Sequence, residues 1–385
     1  MTPQIRQRKL LRRACLAAVV VLLLPAAHAY AVPTWTRVAS PNRGTVASVL
    51  QDVATVPGTD TAWAVGYYYD SATATFRTMT QRYNGTSWGI VPSPNGTSGG
   101  YSQLTGVDAT SATNAWAIGG GLVARWNGTA WSRLSLPAIA LRGIDVVSST
   151  EAWAAGYSGS QAAVAQYRNG TWTTRYTLPV PAGRHLSVFE AVAVDAAGQV
   201  WAVGWDRDYD APGRPVSSLV VHFDGTSWTR EATPNPQDRN TLEDVTVLGN
   251  GDVLTVGIAQ DVSGSGITQS ALVLRRHAGA WAALPPPAGD AQSGQLQSVA
   301  AVSDTNVWMV GYYLDETSGP YQPLLMRWVS GTGNGTLTTY DVSPPLTAPS
   351  TAWGVAATAT GRLWAVGYQS TSGGDRTLIL RGTAS

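Results

Sequence analysis

Glu190 and Glu243 are the residues best suited to chemistry in this chain, with Arg142 beside them. Two carboxylates flanking a glycosidic bond can act as general acid and as base or nucleophile, at separations of roughly 5 Å or 6.5–9.5 Å. An arginine can hold an anionic group next to them. The three residues become equivalent when the chain is aligned on a recurrent tetrapeptide. One layer of that alignment reads Gln51, Thr105, Arg142, Glu190, Glu243, Gln297 and Trp353. Polar and varied side chains at one layer of an otherwise apolar strand need partners. They are expected to ring the mouth of a central channel and contact a ligand there. The alternative is a solvated funnel whose members bond to one another.

Other candidates are sparser. Asp206, Asp208 and Asp210 alternate like the start of a calcium loop, but Ala211 stands where that motif needs Gly and Ser217 where it needs Glu. No cofactor is therefore expected, and calcium at these aspartates is the weaker alternative. His185, His222 and His277 are scattered without metal-ligand spacing. No Ser-His-Asp arrangement or phosphate-binding glycine loop is present. Aromatics follow the tetrapeptide glycine at Tyr67, Tyr157, Trp205, Tyr312 and Tyr368. Strand alternation puts Tyr67 on the side of Trp63 and Val65, which predicts packing between blades rather than stacking on sugar.

The elements that position these residues follow from the repeat. Trp-Ala-Val-Gly or a variant starts at Trp63, Trp116, Trp153, Trp201, Leu254, Trp308 and Trp364, 37 to 56 residues apart. A period of this size with short strands signals a β-propeller. In the first repeat, residues 50–56, 62–68, 79–83 and 88–91 read as four antiparallel strands. Asn84-Gly85 predicts a two-residue hairpin, echoed at Asn127-Gly128, Asn169-Gly170, Asp224-Gly225 and Asn334-Gly335. The seventh repeat stops before its fourth strand. Residues 34–42, ending Ser40-Pro41-Asn42, match the fourth strand of the first repeat, which ends Ser93-Pro94-Asn95. The expected fold is thus all-β: a seven-bladed propeller of four antiparallel strands per blade, its last blade closed by the N-terminal strand.

Residues 1–29 read as a signal peptide, with a basic start, an apolar run over 14–24 and Ala27-His28-Ala29 before the cleavage point. The propeller is assigned to 30–385, and no membrane span is expected after cleavage. Removing Arg6, Arg8, Lys9, Arg12 and Arg13 from 25 basic residues leaves 20 against 24 acidic ones, net −4. That balance argues against nucleic acid. Cys15, the sole cysteine, lies in the leader, so the exported fold is free of disulfides.

Trp-Ala-Val-Gly followed by Asn-Gly-Thr-x-Trp resembles the BNR/Asp-box class of propellers, with sialidase-like and photosystem II stability factor-like repeats the nearest in style. The Arg-only, Thr/Gly-rich composition is similar to secreted actinobacterial propellers. The resemblance covers about residues 31–385 and implies fold rather than activity. The Asp-x-Gly spacing of a true Asp box is missing. The reading that results is an extracellular, monomeric binding propeller for carbohydrate or a cell-envelope partner, rather than an enzyme. Its alternatives are a protein-interaction scaffold, or a glycoside hydrolase or lyase using Glu190 and Glu243.

Overall fold

Among the described residues of the computed structural model, twenty-eight strands account for nearly all regular structure, with one 3-10 turn at Asp290–Gln292. The described residues are 33–96, 101–179, 183, 185–264, 266–315, 321–358 and 360–383. The signal peptide expected over 1–29 lies outside them. Residues 33–385 form one compact unit. No helix among the described residues is long and apolar enough to cross a membrane.

Each repeat of the sequence folds into four antiparallel strands, and in every repeat but the fifth the first strand lies at one edge of its sheet. The first strands are Ser48–Thr55, Gly106–Ser111, Ala140–Val146, His185–Val194, Arg239–Val247, Gly294–Ser303 and Ser350–Ala357. The N-terminal strand Trp35–Val38 pairs with Gly374–Thr383, running from Trp35↔Gly382 to Val38↔Ile379. It supplies the fourth strand that the C-terminal repeat lacks and removes an open sheet edge.

The expected count of seven blades is corrected. Five blades stand as separate four-stranded sheets, and the fourth and fifth repeats are joined in one eight-stranded sheet. The junction is a parallel pairing of Val216 with Arg239, supported by the Val216 N–H bonding to the Asp238 carbonyl at 3.3 Å. Its cause is the chain segment after the fourth strand. Asn235 turns back and its Oδ1 accepts from the Ser218 N–H at 2.7 Å, while Thr233 meets the Ser218 hydroxyl at 2.8 Å. The chain then continues alongside the third strand and runs directly into the strand that begins at Arg239. Ser93-Pro94-Asn95 and Ser40-Pro41-Asn42 do the same on Thr78 and Thr377. There the following parallel contacts, Phe76↔Tyr101 and Asp375↔Ala47, remain isolated bridges.

The tryptophans join neighbouring sheets. The tetrapeptide Trp of each repeat is buried and meets the fourth-strand Trp of the next: Trp63 with Trp131 at 5.0 Å, Trp116 with Trp172 at 6.5 Å, and Trp364 with Trp88 at 5.1 Å. Trp308 meets Trp35 at 5.4 Å, so the N-terminal strand is bound through its side chain as well as its backbone. Where the tetrapeptide begins with Leu254, the partner position holds Leu337, and both sit in one apolar cluster. Such aromatic pairs add about 0.5–1.5 kcal/mol each beyond their area of burial.

The hairpin expectation is also corrected. Asn169-Gly170 forms the two-residue turn, with φ of 48° and 98°. Asn84, Asn127 and Asp224 instead begin four-residue turns, their side-chain oxygens accepting from two following N–H groups, as from Thr86 and Ser87 at 2.9 Å. The side chain acts as the turn's acceptor, which leaves the Asn itself free of positive φ.

Candidate functional site

The first strand of six repeats carries a β-bulge. The register with the second strand slips at Gln51, Arg142, Glu190, Glu243, Gln297 and Trp353. An extra residue at a bulge bends the strand and re-aims its side chain. The bulge also explains the tetrapeptide glycine. A Cβ on Gly66, Gly156, Gly204, Gly257, Gly311 or Gly367 would overlap a first-strand carbonyl oxygen just before the bulge, such as that of Val188 for Gly204. The most constant residue of the repeat and the most variable layer are therefore two sides of one device.

All seven residues of that layer, Thr105 included, line a single cavity of about 360 Å³. Glu190 is the most tightly held. Its Oε1 accepts from the Trp205 indole N–H at 2.9 Å, and its Oε2 lies 3.6 Å from Arg142 Nε. The charge that Arg142 brings is thus already matched. Glu243 accepts from the Thr241 hydroxyl at 3.0 Å. Burial pushes its carboxyl up to about 7, and the Glu190 charge adds to the rise against the opposing effects of Thr241 and Arg142. The Trp353 indole N–H donates to Thr241's counterpart, Thr351, at 2.9 Å. The side-chain amides of Gln51 and Gln297 face the cavity without a hydrogen-bond partner among the described residues.

An aromatic tier lies next to this rim. Arg142 sits over the Tyr157 ring at 5.6 Å, and Tyr312 packs against Trp353 at 5.7 Å. With Trp205 bonded to Glu190, three of the five aromatics after the glycine touch a rim residue, while Tyr67 packs on Phe76 of its own repeat. Packing between repeats is realised at Tyr312, whereas Tyr157 and Trp205 serve the rim residue of their own repeat.

Four aspartates below the rim went unrecognised in the sequence. Asp52 Oδ2 accepts from the Val107 N–H, Asp108 from Val146, Asp145 from Val194 and Asp244 from Val299, all at 2.7–2.8 Å. Each reaches from one first strand to the next. Ser298 continues the chain, donating to Asp244 at 2.9 Å and accepting from the Val355 N–H at 3.2 Å. Asp52 and Asp244 line the cavity, yet protein surrounds all four carboxylates, and desolvation dominates. Asp52 and Asp145 are pushed up to about 8 and Asp244 to about 6, chiefly by burial. The only signal in the sequence was an acidic residue at Asp52 and Asp244 in a column otherwise made of small residues.

The aspartates read as a calcium loop are engaged with other groups. Asp206 lies 3.2 Å from Arg230 and 3.7 Å from His185, and Asp208 accepts from the N–H groups of Asp210 and Ala211. Among the described residues, no group of three His, Cys, Asp or Glu side chains is arranged to hold a metal ion.

No family model matches the sequence, and no curated protein matches it. The resemblance to Asp-box repeats therefore has no support from sequence comparison, and the likeness to known proteins is one of fold. An ulvan lyase, described as a new family of polysaccharide lyase, superposes with a TM-score of 0.53 at 9% identity, covering 87% of this chain and 92% of that one. The β-propeller domain of the trilobed protease from Pyrococcus furiosus gives a TM-score of 0.47 at 7% identity, covering 86% and 92%. PorZ, a surface component of the type-IX secretion system of Porphyromonas gingivalis, gives 0.45 at 13% identity. That match covers 85% of this chain, which spans 46% of the length of PorZ.

Proposed function

We propose that this protein is an exported binding propeller that takes a neutral, hydroxyl-rich carbohydrate at the channel mouth. The observation that carries the proposal is the convergence of six bulge residues and Thr105 on one cavity, with the amides of Gln51 and Gln297 unpartnered among the described residues. Amides both donate to and accept from sugar hydroxyls. Trp353 and Tyr312 add an apolar edge suited to the C–H face of a sugar ring. Charge selects against a polyanion. Among the described residues Arg142 is the one cation lining the cavity, and it is already paired with Glu190, so no free positive charge is left for a polyanion. Export rests on the leader read in residues 1–29.

A glycan array probed with residues 30–385 tests this, beside the Glu190→Gln/Glu243→Gln double variant. Binding to neutral glycans that the double variant loses is the expected result. Retention of all binding by the variant would place the ligand elsewhere, and binding by neither protein would favour a scaffold for protein contacts. One observation favours hydrolysis or lysis as a second reading: a carboxyl pushed up to about 7 beside a second carboxylate is poised to donate a proton near neutral pH. Release of reducing ends or unsaturated products from a bound glycan would establish it.

A further inference from the structure

A second cavity, of about 390 Å³, opens beside the mouth and shares Thr105 and Arg142 with it. It lies at the second repeat, whose second strand, Asn114–Gly119, is the shortest of the second strands at six residues. There the second strand ends at Gly119 and the third begins at Leu122, whereas in the fourth repeat the same connection runs from Asp208 to Val216. The turn works only with glycine. Gly120 has φ of 57°, and a Cβ there would lie 2.6 Å from the Gln103 nitrogen. The chain that reaches Gln103 therefore packs directly against this turn, and Thr105 and Arg142 stand where the groove meets the mouth.

The groove has an aromatic floor at its outer end. Tyr101 is 70% exposed, the largest exposure of any large apolar side chain described. Its ring stacks on Phe76 at 5.6 Å, and the Ser102 N–H bonds to the Phe76 carbonyl at 3.1 Å, so the exposed ring is held in place. Phe76 in turn meets Tyr67 at 5.3 Å, one of the aromatics that follow the tetrapeptide glycine. Tyr157 also lines the groove and lies under the guanidinium of Arg142, which the groove shares with the mouth. The rings of Tyr101 and Tyr157 and the polar groups of Gln103 and Arg142 line the same groove, which suits the faces and hydroxyl edges of linked sugar rings.

We propose that this groove is an extension subsite, and that the ligand is a polysaccharide chain whose units continue from the mouth across the second repeat. The proposal rests on the carbohydrate reading of the mouth. A chain of several rings fills both cavities, while a disaccharide fills only the mouth. Tyr101 supplies the outermost stacking platform and contributes only to long ligands.

Calorimetric titration with cello-oligosaccharides and chito-oligosaccharides, each as the disaccharide and the hexasaccharide, tests the inference. The hexasaccharide of the preferred series is expected to bind more tightly than the disaccharide. Tyr101→Ala is expected to weaken the hexasaccharide about tenfold and leave the disaccharide unchanged. Tyr101→Phe is expected to keep wild-type affinity for both. Equal affinity for the two lengths, or equal loss for both in Tyr101→Ala, would overturn the groove while leaving the mouth reading intact. No binding of any of these oligosaccharides would overturn the neutral-carbohydrate reading of the mouth and the groove with it.

Discussion

Asp52 should make this protein less stable as the pH rises through neutrality. Its carboxyl is pushed from an ordinary 3.8 up to about 8 by burial in the channel wall, with the charges of Asp244 and Asp108 adding to the rise and the Val107 and Val53 N–H groups opposing it. Between those two values the folded protein holds a proton that the unfolded chain has released. Stability is therefore fully present below the unfolded value and is lost as pH climbs through the folded one. An isolated group would lose about 1.4 kcal/mol per pH unit inside that window. Water in the channel screens part of the charge, so about 1–2 kcal/mol is expected from Asp52 between about pH 6 and about pH 8. Asp145, also raised to about 8 by burial and by the Asp108 charge, adds a second loss of the same sign. Asp52→Asn keeps one acceptor oxygen and cannot ionise, so its stability should fall by that much less over the same interval. Urea unfolding of both proteins at the two pH values measures the difference. A wild-type stability that is flat or rises, or a variant that declines as steeply as the wild type, would refute the argument.

Gly204→Ala would drive a Cβ into the Val188 carbonyl opposite the Glu190 bulge; a loss of about 3 kcal/mol is expected, read as a fall in Tm. Asp252 and Arg275 form a buried ion pair at 2.6 Å, with His277 at 2.8 Å on the other oxygen. Burial raises the Asp252 carboxyl, but the bonds from Arg275 and His277 outweigh it and hold the group below its ordinary value. Arg275→Ala leaves that charge with His277 alone and uncovers Trp328, and should cost about 3 kcal/mol in chemical denaturation. Deleting residues 33–42 would leave the Gly374–Thr383 edge unpaired and Trp308 without Trp35. Self-association is expected, visible by light scattering, because an open strand edge templates further pairing.

Much of the fold was legible in the sequence because it is local. Strand alternation, the tetrapeptide and the matching Ser-Pro-Asn segments each lie within a few residues, and the strands they predict are present, including the N-terminal one that completes the C-terminal sheet. The layer of Gln51 through Trp353 could be found because repeats that fold alike put equivalent residues at equivalent heights. The Asn-Gly turns were misjudged where the Asn side chain, rather than its backbone, took the acceptor role.

By itself, then, the sequence determined the strands, their order within each repeat and the residues that converge on the mouth, since these depend on periodicity along the chain. Only the tertiary structure decided how the repeats meet. The joining of the fourth and fifth repeats turns on one parallel pairing across 23 residues of chain. The aspartates that reach to Val107, Val146, Val194 and Val299 bond to residues 38 to 55 positions away. The bulges, which aim the rim side chains, arise where one strand's carbonyl is accommodated by another strand's glycine. Each of these depends on distances across space, and periodicity along the sequence marks the recurring glycine without saying what it accommodates.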